Sequence, residues 1–68
     1  MNKLRDVRVL KRIIQFQLRI ATGIHQSKIS MIENGLIEAR DDEKKKLAKA
    51  LGVRPEEIFP ENQTQIQR

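Results

Sequence analysis

Five residues punctuate this 68-residue chain so closely that no long regular element fits between them: glycine at positions 23, 35 and 52, and proline at 55 and 60. Gly23, Gly35 and Gly52 each follow a run with helical periodicity, where a residue without a β-carbon can take the backbone conformation that closes a helix. Pro55 falls where proline is tolerated at the first position of a helix, and Pro60 stops what Pro55 begins. The chain is therefore restricted to short helices joined by short links.

The segment between the first two glycines carries the most information. Residues 22–35 read T-G-I-H-Q-S-K-I-S-M-I-E-N-G. Ile24, Ile29 and Ile32 supply an apolar stripe, the last two on one face of a helix running from residue 26 to about 34. Opposite them stand Gln26, Ser27, Lys28, Ser30 and Met31, polar or flexible side chains with no acidic residue among them until Glu33. A face of hydrogen-bonding side chains without negative charge suits a negative surface rich in donors and acceptors, such as the major groove of DNA.

Bulk properties narrow the class. Sixty-eight residues make one domain near the lower size limit for a self-supporting core. The absence of cysteine removes disulfides and thiolate metal sites and fits a reducing compartment, so a cytoplasmic protein is expected. Apolar runs are too short to span a membrane, and the first residues lack the apolar core of a secretory signal. Phe16 and Phe59 are the only aromatic residues, too few to stack single-stranded bases. Charge is uneven: Lys3, Arg5, Arg8, Lys11, Arg12, Arg19 and Lys28 against Asp6 give residues 1–28 a balance of +6, leaving −1 for the remainder. Such a field attracts polyanions without selecting a sequence.

In chain order, Leu4, Val7 and Leu10 recur every third residue and predict a first helix ending near Lys11 or Arg12. Within residues 12–20, Ile14, Phe16, Leu18 and Ile20 alternate with polar positions in a strand-like pattern. Leu18 and Ala21 also fit helical spacing, Gly23 provides a stop and no partner strand exists, so a second helix over about 15–22 is expected. Residues 36–40 read as a loop. Asp41, Asp42 and Glu43 followed by Lys44, Lys45, Lys46 and Lys49 match the polarity of a helix dipole, with Leu47, Ala48, Ala50 and Leu51 as the buried stripe. A short fifth helix opens at Pro55, with Ile58 and Phe59 returning to the core. Residues 1–60 then form the folded domain and residues 61–68 a polar, disordered tail.

With the helices placed, Q-x-x-L at 15–18, T-G-I at 22–24, I-S-x-I-E-N-G at 29–35 and L-A-K-A-L-G-V at 47–53 resemble the Cro and phage-repressor type of helix-turn-helix domain, the xenobiotic response element family, over about residues 4–60. The resemblance implies an all-α, lambda-repressor-like bundle of five helices whose third helix lies in the major groove. It implies a sequence-specific transcriptional regulator of double-stranded DNA, acting as a homodimer on a palindromic operator. By position, Gln26 and Ser27, and further along Lys28 and Met31, match the base-reading residues. Gln15, Asn34, His25 and Arg40 match or neighbour backbone contacts; His25 stands where the family often has a serine or threonine cap on the third helix. Arg8 and Glu33 match a structural ion pair between the first and third helices.

Three positions depart from the pattern. Ile14 replaces the usual serine or threonine cap of the second helix, Arg12 replaces a frequent glycine, and Arg19 replaces a small alanine that lets the second and third helices approach. Phe16 and Ile20, one turn apart, point away from the expected core and are candidates to pack on the first helix or to form an oligomer contact, the latter after the fifth helix and the tail. The competing reading is a protein-interaction module, antitoxin-like or an adaptor, with DNA binding secondary. An enzyme is not expected: one histidine, no cysteine and no tyrosine leave few nucleophiles or bases, and no metal or cofactor site is indicated.

Overall fold

The structure, a computed structural model, describes residues 2–60; the tail expected at 61–68 lies outside the described residues. Five helices follow in order: α1 (Leu4–Leu10), α2 (Gln15–Thr22), α3 (Gln26–Glu33), α4 (Asp41–Leu51) and α5 (Pro55–Ile58). The described residues contain no strand, and the alternating segment folds as helix from Gln15 on. Only Leu18 of that alternating set is buried, while Ile14, Phe16 and Ile20 are exposed.

Helix ends follow a repeated local chemistry. At the end of α3, Leu36 N–H donates to the Met31 carbonyl and Gly35 N–H to that of Ile32, with Gly35 at φ 74°. This paired pattern satisfies carbonyls that would otherwise lack partners. Val53 and Gly52 close α4 in the same way, onto Ala48 and Lys49. So do Ile13 and Arg12 at the end of α1, onto Arg8 and Val9, with Arg12 at φ 59° in the glycine position. Helix starts share a different device. Ile14, Arg40 and Arg54 have no side-chain acceptor to cap α2, α4 and α5, yet each donates its backbone N–H to the side chain three residues on: Gln17 at 2.9 Å, Glu43 at 2.9 Å and Glu57 at 3.0 Å. Half of a capping box forms in each case.

The core gathers Leu4, Leu18, Ile24, Ile29, Ile32, Ala39, Leu47, Ala48, Leu51, Ile58 and Phe59, with Val7, Ile13, Ile37, Ala50 and Val53 packed around it. Helix α2 packs on α3 and α4, α4 on α5, and α1 on α3. Two expectations about packing need correction. Leu10, third of the α1 series, is 81% exposed, because it ends a seven-residue helix and the chain turns away at Lys11. Ala21 is exposed too, leaving Leu18 as the one buried anchor of α2. The loop between α3 and α4 contributes more than a link, since Ala39 is buried and Ile37 half-buried.

Candidate nucleic-acid interface

Helices α2 and α3 are joined through Gly23, Ile24 and His25. Gly23 takes φ 76° and donates its N–H to the Arg19 carbonyl. The Thr22 hydroxyl donates to the Leu18 carbonyl at 2.7 Å and accepts from the Ile24 N–H at 3.1 Å. That hydroxyl fixes the corner while Ile24 turns into the core, and the T-G-I triplet thereby sets where α3 leaves α2.

On α3, Ile29, Ile32 and Glu33 are buried. Gln26, Ser27, Met31 and Asn34 are exposed, with Ser30 half-buried between them. Their spacing of three and four residues makes one continuous outward strip. Lys28, grouped by sequence with the base readers, does not belong to that strip: its ammonium lies 2.6 Å from Glu43 Oε2 and its side chain is tied to α4. Periodicity could not foresee this, because the carboxylate is fifteen positions away and arrives only through tertiary packing.

Both acids close to α3 are buried and engaged. Glu33 accepts from Arg8 Nε at 2.6 Å and Nη2 at 3.3 Å, and from Gln15 Nε2 at 3.0 Å. Arg8 also donates through Nη1 to the Ile13 carbonyl at 2.8 Å. One carboxylate thus joins α1, the following turn, α2 and the C-terminal end of α3. Glu43 accepts the Arg40 N–H on one oxygen and faces Lys28 with the other. The Arg40 N–H and the Lys28 ammonium hold its carboxyl below the usual glutamate value, against the opposing effect of burial. Asn2 adds a third restraint: its amide donates to the Ile32 carbonyl at 2.8 Å while its oxygen accepts the Leu4 N–H at 3.0 Å.

The remaining candidates are dispersed around this strip. His25 occupies the N-cap position of α3, but its side chain makes no capping bond, so the expected cap is absent. The imidazole is exposed instead. Asn34 is the C-cap of α3, its N–H bonded to the Ser30 carbonyl. Gln15 spends one amide N–H on Glu33 and retains the other. Arg40 is exposed at the start of α4, 3.7 Å from an Asp42 that is also exposed, too open a pair to hold it firmly. Arg19 projects outward, so α2 still packs on α3 despite the missing alanine. Sequence reasoning missed Asn2 and the structural part of Glu43. The Arg40-to-Glu43 spacing of a capping box was the available sign for the second; none existed for the first.

Two packed helices joined by a tight turn, with an acid-free strip on the second, define a small helical DNA-binding regulator. The chain belongs to the helix-turn-helix family of Cro and C1 type, whose family model matches residues 4–58. Searches of curated proteins and of solved structures gave no match. Among the described residues no histidine and carboxylate group is arranged to hold a metal ion, and no helix is long and apolar enough to cross a membrane.

Proposed function

We propose that α3 enters the major groove of double-stranded DNA and that Gln26, Ser27 and Met31 read base edges. The observation carrying this reading is the outward strip of α3, free of acidic side chains, beside two carboxylates that are both neutralised within the fold. A glutamine pairs bidentately with adenine N6 and N7, a contact worth roughly 1–3 kcal/mol of discrimination. Gln15, His25, Asn34 and Arg40 line the phosphate backbone on either side, positioning the helix without reading sequence. Lys28 serves the scaffold through Glu43. Residues 1–60 form the binding unit, and 61–68 are appended to it.

A single recognition helix covers too few bases for useful specificity. The working species is therefore a symmetric homodimer on a two-fold operator, its half-sites roughly 34–36 Å apart. Helix α5, the first location expected for the dimer contact, directs Ile58 and Phe59 into its own core. The large exposed apolar side chains among the described residues are instead Val9 and Leu10 on α1, Ile14 just before α2, Phe16 and Ile20 on it, and Met31 and Leu36. That surface also favours the second reading, a protein-interaction module.

Selection from a randomised duplex library tests the proposal. Emergence of a palindrome, bound by two chains and preferred over a scrambled duplex at moderate salt, supports it. Gln26→Ala should then cost roughly 1–3 kcal/mol and relax one position in each half-site. Equal binding to both duplexes, vanishing with salt, would leave only the positive field and transfer the weight to the interaction module.

A further inference from the structure

The link between α2 and α3 forms an open groove lined by Arg19, Ile20, Gly23 and His25. We propose that this groove is a binding site for one backbone phosphate of the duplex, with Arg19 as its principal ligand. The inference rests on α3 lying in the major groove as proposed above, and adds a contact at a position where the family pattern has a small residue.

Several features of the groove point to a phosphodiester. Arg19 is exposed, and its guanidinium has no ion pair or hydrogen bond with any described residue. A guanidinium presents a planar fork of donors that matches two phosphate oxygens, and it keeps its charge at any pH of interest. The floor is bare backbone: Gly23 has no side chain, and a β-carbon placed there would meet nothing within 4 Å. A phosphate can therefore approach closely between the walls. The exposed His25 also lines the groove and offers a second donor, while Ile20 supplies an apolar surface for the adjoining sugar. Among the described residues no acidic side chain lines the groove. Because it opens at the turn leading directly into α3, a strand passing the start of the recognition helix runs beside it.

Position also explains why an arginine is tolerated here. Arg19 is exposed beside the buried Leu18, and α2 still packs on α3. Helix packing is preserved and a long cation becomes available at the surface.

The test compares wild type with Arg19→Ala and Arg19→Lys on the selected duplex and its scrambled control, over a range of salt. Circular dichroism checks that each variant remains folded. Loss of one phosphate contact should lower the slope of log K against log salt by about 0.9 per chain and weaken both duplexes about tenfold, leaving the base preference unchanged. Lysine should restore the slope, being a cation, but less of the affinity. Replacing single phosphates by uncharged methylphosphonates should identify one position per half-site whose neutralisation weakens wild type and has no further effect on Arg19→Ala. An unchanged slope in Arg19→Ala would overturn the proposal. So would an altered base preference, which would make Arg19 a reader of bases, or Arg19-dependent binding of inorganic phosphate with no change in duplex binding. Failure of wild type to prefer any duplex would instead sink the underlying reading, and is seen before any variant is made.

Discussion

Arg12 sits in left-handed backbone, at φ 59°, because the bonds that close α1 require that conformation at this position. For a residue with a β-carbon the left-handed region costs about 1–2 kcal/mol. Glycine avoids the clash but loses more chain entropy on folding, which offsets part of the gain. Arg12→Gly should therefore stabilise the fold by about 0.5–1 kcal/mol, read as a higher urea midpoint with an unchanged slope. A lower midpoint would mean that the arginine side chain contributes more than its backbone costs. The frequent glycine of the family pattern, visible in the sequence only as a departure, here acquires its physical reason. Lys28 teaches the opposite lesson. Its place on the polar side of α3 was legible, yet its direction was not, since a flexible four-carbon stem can serve DNA or Glu43 and only the approach of α4 decides between them.

Helix α2 shows how local signals combine. Ile14 cannot cap it, and the Gln17 side chain reaching back to the Ile14 N–H replaces only half of the missing arrangement. Ile14 is itself 59% exposed, so little burial is lost on replacing it. Ile14→Thr should return an acceptor for the first turn and contribute about 1 kcal/mol. For a domain of this size that corresponds to a rise in Tm of roughly 4–8 °C. A thermal melt showing no rise would indicate that the Gln17 bond already suffices. The helical assignment of this segment could be read from the Gly23 stop and the want of a partner strand. Alternation alone left the core-facing side open, because Ile14, Phe16, Leu18 and Ile20 are equally apolar; the family pattern turned Phe16 and Ile20 outward, where both are exposed, and only Leu18 is buried.

For the whole molecule, α3 is held at both ends by buried carboxylates. Glu33 ties its C-terminal end to α1 and α2; Glu43 ties Lys28 to the start of α4. The folded state keeps the Glu43 carboxyl below the ordinary value of 4.5. Ionised Glu43 therefore favours the fold at any pH above that value, and its contribution is lost as pH falls below 4.5 through the lowered folded value. Glu43→Gln keeps an acceptor for the Arg40 N–H but abandons the ammonium of Lys28. The variant should be less stable than wild type at neutral pH, and the gap should narrow in acid. Urea midpoints at pH 7 and pH 3 measure both. A gap that is constant with pH would show that the ion pair is not what the substitution removes.

What the sequence determined by itself were the features set within a few residues of one another. Glycine and proline placed the helix ends, the acidic-to-basic order placed α4, and the spacing of Ile29 and Ile32 marked the buried side of α3. These depend on backbone sterics, helix dipoles and side-chain periodicity, all local quantities. The tertiary structure alone decided which of several equivalent apolar residues were buried, and which long side chains met. Leu10 fits the α1 pattern and is exposed; Ala39 lies in a loop and is buried; Asn2 bonds to the carbonyl of Ile32, thirty positions away. Pairings at such separation depend on how helices with several acceptable faces pack together, and that choice belongs to the assembled core, where burying one set of side chains leaves the others outside.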